Sequence, residues 1–316
     1  MNVLIIGMGN VGVMHGWVLR EGGVEVKHVV RKGALLKYSH DIRMDVMDMR
    51  KGIPEKYMAE YKPKVVDEIS PGDNYDIVMV ATNHMQAADA VSQYKDMVPD
   101  ACFLMFCSNW EGLSVIDNLL PRSRYLWGYS VFSGAGGKDG VLYANIQKTY
   151  RIGEVPGSPA GMLNKIIETF SRAGISPEIK ENISEWLMLH HAINGGLLGV
   201  FLYRGGMPSA DTPLDDWVFM IRAVKDAFKV LEARGVDFRK YPETKIFQMD
   251  NDEEAAKLLR QGIIDMPHYE RTRAHSHADT NPDEMRRFCL DVIETGEKLG
   301  VNMPYLSSIK DKVLSL

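Results

Sequence analysis

Val3, Leu4, Ile5 and Ile6 form an unbroken apolar run with the length and composition of a buried parallel strand. Further strand signals stand at 75–81 and 101–106, largely apolar, at 24–30 with partial alternation, and at 125–132 and 141–146, with a shorter one around 150–152. Apolar residues at helical spacing open at Val13 and again over 86–94. Strands alternating with helices in this way predict an α/β unit built on a parallel sheet. Residues 40–70 are polar and broken by Pro54 and Pro63, so short strands or irregular connections are expected there. The segment 133–140, SGAGGKDG, reads as a glycine-rich turn.

The pattern changes near Gly153. Pro156, Gly157, Ser158 and Pro159 mark a break, and a helix over 162–172 follows. Beyond residue 183 only the helical period remains. The stretch 183–203 is apolar nearly all round, which predicts a buried helix. Further helices are expected at 214–233, 252–261, 282–299 and 305–314. The chain therefore divides into a Rossmann-type α/β domain, 1–178, and an all-α domain, 179–316.

Between the first strand and the first helix stand Gly7, Gly9 and Gly12, spaced G-x-G-x-x-G. Gly7 permits a tight turn, Gly9 lets a pyrophosphate approach the backbone, and Gly12 lets helix and strand pack closely. The helix N-terminus offers free N–H groups to the phosphates. The loop Gly7, Met8, Gly9, Asn10, Val11 and Gly12 is thus the expected dinucleotide cradle. Arg31 and Lys32 close the second strand, and no Asp or Glu stands at its tip in the sequence. A carboxylate there would take the ribose hydroxyl of NAD, whereas a cation accommodates the 2′-phosphate of NADP, so NADP is the expected cofactor. Thr82 and Asn83 follow the strand at 75–81, and Asn109 follows the strand at 101–106. Carboxyl ends of strands are where open α/β sheets bind ligands.

Composition narrows the picture. The 316 residues suffice for two domains, and the formal net charge of -5 argues against nucleic-acid or anionic-membrane partners. No run reaches the roughly 18 apolar residues of a membrane span. No basic leader precedes Val3 and the three cysteines form no C-x-x-C, so a reduced, cytoplasmic protein is expected.

The chain resembles the ketopantoate reductase family nearly end to end. The likeness rests on GMGNVG at 7–12, VVRKG at 29–33, DIVMVATNHMQ at 76–86, SNWEG at 108–112, YRIGE at 150–154, the buried helix at 183–203 and LGVNMP at 299–304. It implies NADPH as hydride donor, a C-terminal domain of the 6-phosphogluconate dehydrogenase C-terminal type, and an active site in the cleft between domains. Arg31 matches the family's 2′-phosphate arginine, and Asn109 matches an asparagine near the nicotinamide, with Trp110 replacing its glycine. Glu284 resembles the family's active-site glutamate in its distance from Pro304. The departures concern the acid. No lysine occurs between Glu181 and Val224, where the family's proton-donating lysine belongs. Trp186 takes that position, His190 takes an asparagine position, and Asn83 replaces a second lysine.

Reduction of a carbonyl or imine needs a hydride and a proton, and an imidazole, with an ordinary pKa of roughly 6.5, suits the second role. His190 and Asn194 are four apart and share a helix face. His191 is the adjacent candidate and Glu284 the next. Gly195, Gly196 and Gly199 permit close approach of a backbone or a ligand. Asn83, Asn109 and Ser276 are expected substrate ligands. The histidines of 266–284, with His-x-His alone, do not define a metal set, and no metal is expected. The reading is an NADPH-dependent reductase of a small oxo acid or related carbonyl compound other than ketopantoate, acting as a homodimer on an anionic substrate. An opine-type dehydrogenase reducing an imine and a non-catalytic NADP-binding regulator remain the alternatives.

Overall fold

The computed structural model describes residues 1–70, 72–275 and 281–316. The chain divides into two compact units, Met1–Trp186 and Leu187–Leu316. The division falls inside one helix, Ile183–Arg204. Its first turn is packed in the α/β unit, where Ile183 lies against Gly153 and Trp186 against Tyr129.

The strands of the first unit are β1 (Asn2–Ile6), β2 (Glu25–Val29), β3 (Ile42–Asp48), β4 (Glu55–Tyr61), β5 (Val65–Val66), β6 (Ile77–Val80), β7 (Cys102–Phe106), β8 (Tyr125–Ser130), β9 (Ser133–Gly136), β10 (Leu142–Ile146), β11 (Thr149–Gly153) and β12 (Ser176–Ile179). Eight form one sheet in the order β12-β11-β8-β7-β6-β1-β2-β5. Neighbours run parallel except β8 against β11. The central strands are buried on both faces, which is why Val3–Ile6 and 77–80 read as continuous apolar runs. From β1 the chain steps outward to β2 and β5, then returns to β6 on the other side of β1. That reversal creates a crevice outside the carboxyl ends of β1 and β6.

Of the two alternatives for residues 40–70, strands hold: β3 and β4, seven residues each, lie in a second sheet of order β4-β3-β10-β9. Pro54 lies just before β4 and Pro63 just after it, so the prolines punctuate the strands rather than break them. One expectation needs correction: 133–140 is not all turn. Ser133–Gly136 is β9, antiparallel to β10, and Gly137 and Gly140 close a short hairpin. A Cβ at Gly134 would lie 2.3 Å from the Tyr143 carbonyl oxygen, so the glycine permits close strand approach. The second sheet shares its core with the first helix, Asn10–Glu21, through Met14, Trp17, Val46, Ala144 and Ile146.

The second unit is helical, with Leu214–Ala233, Asp252–Ile264, Tyr269–Ala274, Pro282–Lys298 and Pro304–Ser315 joining the remainder of Ile183–Arg204. Its glycines serve packing. A Cβ at Gly195 would lie 2.8 Å from the Phe288 carbonyl oxygen, and one at Gly199 would lie 2.5 Å from Cys289 Sγ. Gly196 meets Val224 in the same way. Of the two uses foreseen for these glycines, neighbouring helices take the space beside them. Buried Asp226 accepts from Lys229 and from the backbone N–H of Tyr305, fixing the start of the last helix. No helix among the described residues is long and apolar enough to cross a membrane.

Candidate functional site

The glycine-rich loop sits at the sheet reversal. Gly7 has φ 110°, and a Cβ there would lie 3.1 Å from the Ala81 carbonyl oxygen at the end of β6. A Cβ on Gly12 would lie 2.7 Å from the Gly7 carbonyl oxygen. These two glycines are required by the protein itself. Gly9 is different: it is exposed, and no heavy atom lies within 4 Å of a Cβ built on it. It caps the helix Asn10–Glu21 without a side-chain bond, and no acidic residue occupies the first turn. Met8 and Val11 pack into the core beneath. The Asn10 side chain donates to the Gly134 carbonyl at 3.0 Å and ties the loop to β9.

Thr82 and Asn83 follow β6. The Thr82 hydroxyl oxygen is buried without a hydrogen-bond partner, and its methyl lies 3.6 Å from the Cβ position of Gly7. Asn83 caps the helix His84–Tyr94 through its backbone. An orphaned buried hydroxyl, a helix start without a side-chain cap and the space over Gly9 together fit a phosphate-bearing ligand at this crevice.

At the tip of β2, Arg31 is exposed and has no ion pair among the described residues, whereas Lys32 Nζ lies 2.5 Å from Glu68 Oε1. That carboxylate pushes the Lys32 pKa upward. Asp67 accepts from the Gly33 N–H at 3.0 Å. The tip is therefore not free of acids, as its local sequence implies: Asp67 and Glu68 arrive from the end of β5, a neighbour that only the sheet order reveals.

Asn109 is buried, and its amide clasps one backbone residue both ways. Nδ2 donates to the Gly112 carbonyl at 3.1 Å, and Oδ1 accepts from the Gly112 N–H at 2.9 Å. Gly112 has φ 92°, which a left-handed turn requires. The first job of Asn109 is thus to hold the loop after β7.

In the helical unit, His190 Nε2 and Asn194 Nδ2 are 3.1 Å apart on a half-buried face. His191 points elsewhere. It is fully buried, 3.3 Å from Asp291 Oδ2, with the Phe288 ring at 4.5 Å between centroids. Asp291 also pairs with Arg287. Glu284 sits in the first turn of Pro282–Lys298 and accepts from Asn281 Nδ2 at 2.9 Å. Ser276 lies outside the described residues.

Trp186, the residue standing at the expected lysine position, is buried under two cations. Lys180 Nζ is 5.3 Å and the Arg151 guanidinium 5.9 Å from its ring, and both pair with Glu178. A lysine absent from the helix thus reaches its first turn from the preceding residues. Its lone position in the sequence gives no signal of this.

Sheet order, glycine-rich loop and helical second unit define the class: a Rossmann-type dinucleotide-binding fold with an all-α partner unit. Residues 3–157 match the family model "Ketopantoate reductase PanE/ApbA", so the N-terminal half of the chain is similar to the domain that this family of oxidoreductases carries. A 2-dehydropantoate 2-reductase of Pyrococcus horikoshii is 23% identical over 244 residues, 75% of this chain and 76% of that protein. A putative ketopantoate reductase from Ralstonia solanacearum superposes with a TM-score of 0.71 at 17% identity, covering 99% of this chain and 97% of the other. D-mandelate dehydrogenase in complex with NADH superposes with a TM-score of 0.71 at 14% identity, covering 100% and 98%. A dimeric ketopantoate reductase from Staphylococcus aureus gives 0.63 at 14% identity, covering 99% and 98%.

Proposed function

We propose that this protein is an NADPH-dependent reductase of a small 2-oxo acid or related carbonyl compound, distinct from ketopantoate. The observation that carries the reading is the His190–Asn194 pair. It is a bonded, half-buried polar couple on a helix otherwise apolar nearly all round. Such groups cost free energy unless they are paired or used. Asn194 orients the imidazole, and His190 gives the proton to the substrate oxygen. Asn83 and Asn109 are read as substrate-contacting groups, and Glu284 as the next candidate acid. The departure from ketopantoate rests on the absence of a lysine between Glu181 and Val224.

The loop Gly7–Gly12 and the Thr82 hydroxyl would hold the pyrophosphate, and Arg31 would hold the 2′-phosphate. The nicotinamide, when bound, supplies the hydride. Arg31 supports NADP because it is the cation of the β2 tip with no carboxylate among the described residues committed to it, while Lys32 is paired with Glu68. We read the assembly as a homodimer, as the Staphylococcus aureus relative is described, and the compartment as cytoplasmic, consistent with three buried cysteines.

The test is NADPH consumption against a panel of 2-oxo acids, each with and without an added amino acid. Turnover without amine supports the proposal. Turnover only with amine replaces it by imine reduction. NADPH binding with no turnover across the panel replaces it by a regulatory role.

A further inference from the structure

Beneath the glycine-rich loop lies a buried chain of polar groups that no cofactor contact explains. His28, in β2, is fully buried. Its Nδ1 lies 3.3 Å from the Gly7 carbonyl oxygen, and its Nε2 lies 2.8 Å from the Tyr61 hydroxyl at the end of β4. Chemistry fixes the proton positions. A carbonyl only accepts, so Nδ1 carries the hydrogen. Nε2 of the neutral ring is then an acceptor, and the Tyr61 hydroxyl donates to it. Burial lowers the His28 pKa to about 4, which keeps the ring neutral. Gly16 of the first helix makes the room: a Cβ there would lie 2.4 Å from His28 Nε2 and 2.6 Å from the Tyr61 oxygen. One glycine outside the G-x-G-x-x-G pattern is thus set aside for this pair.

The consequence lies in the peptide that follows. Among the described residues no peptide bond is cis, and in a planar trans peptide the carbonyl oxygen and the next N–H point in opposite directions. A Gly7 carbonyl held inward by His28 therefore turns the Met8 N–H away from the interior.

We propose that His28, held in its Nδ1–H form by Tyr61, is a positioning residue for the dinucleotide: it locks the Gly7–Met8 peptide so that the Met8 N–H faces the pyrophosphate. The second sheet thereby acts on the loop of the first through one phenol. The inference rests on the dinucleotide reading above.

Two substitutions separate positioning from mere packing. In His28→Asn the side-chain amide occupies the place of Nδ1 and keeps the bond to Gly7 while losing Tyr61. In His28→Gln the amide reaches the place of Nε2, keeps Tyr61 and loses Gly7. Both variants give up one buried hydrogen bond, so both melt below wild type. Titration with NADPH and NADH by nicotinamide fluorescence reads the difference. His28→Asn is expected to bind within about threefold of wild type and His28→Gln about tenfold more weakly. Equal affinities for the two variants would overturn the proposal, because affinity would then follow stability alone. Where neither folds, Tyr61→Phe, which removes one oxygen, carries the test: about threefold weaker binding is expected, and unchanged binding overturns it. A wild-type protein that binds neither dinucleotide overturns the dinucleotide reading itself, and this inference with it.

Discussion

Asn194 Nδ2 stands 3.1 Å from His190 Nε2, one helical turn away on the same face. With the amide donating, Nε2 is the acceptor and Nδ1 holds the proton. With the amide turned over, Nε2–H donates to Oδ1. In either arrangement the ring cannot rotate without losing a partner. Asn194→Ala should therefore loosen the imidazole rather than remove it. The expected result is a loss of turnover of about tenfold, smaller than that from replacing His190, with NADPH affinity unchanged. A full-activity Asn194→Ala variant would show that the pair is structural.

The β2 tip gives a second prediction. Arg31→Glu should weaken NADPH binding far more than NADH binding, because a like charge replaces the partner of the 2′-phosphate. Lys32→Glu should do less, since Lys32 is already paired with Glu68. Equal losses for both cofactors in Arg31→Glu would remove Arg31 from the phosphate site.

Gly9 and Gly12 should separate binding from folding. Alanine at Gly9 meets no protein atom within 4 Å, so the melting temperature should stay near that of wild type while dinucleotide affinity falls at least about tenfold. Alanine at Gly12 would come within 2.7 Å of the Gly7 carbonyl and should destabilise the fold by about 1–3 kcal/mol. Unchanged affinity in Gly9→Ala would show that the open space is not used by phosphate.

Acid should destabilise the first unit through two histidines. Burial lowers His15 and His28 from 6.5 to about 4 each. These folded-state values lie below the unfolded one, so between them the unfolded chain binds more protons. The stabilisation is complete above about pH 6.5 and is lost as pH falls through about 4, at most about 3 kcal/mol per ring. His15 Nε2 is buried without a partner beside Phe132, whose ring stacks on it at 4.2 Å. His15→Leu should flatten the dependence and cost little at neutral pH. Urea midpoints that do not change between pH 7 and pH 5 would contradict this.

Much of the fold was legible in the sequence, because strands buried on both faces write themselves as apolar runs and the glycine spacing names its own loop. The second sheet was not: β4 alternates weakly, with Met58 exposed and Tyr61 buried, and β9 is disguised by its glycines. Spacing along a helix gave the His190–Asn194 pair because i and i+4 are neighbours whatever the fold. Asp67, Glu68 and Lys180 were illegible because sheet order and chain entry, not sequence distance, bring them to Arg31's loop and to Trp186. The glycines at 195 and 199 leave a backbone and a ligand equally open as neighbours, since a sequence does not say which of them fills the space.

The most direct measurement is NADPH oxidation by wild type and by His190→Asn on the most active member of a 2-oxo acid panel, with NADPH dissociation constants taken on the same samples. The account predicts a fall in turnover of roughly 10²–10⁴-fold at unchanged cofactor affinity. Wild-type turnover in His190→Asn would contradict it, and so would a loss of cofactor binding in parallel with activity.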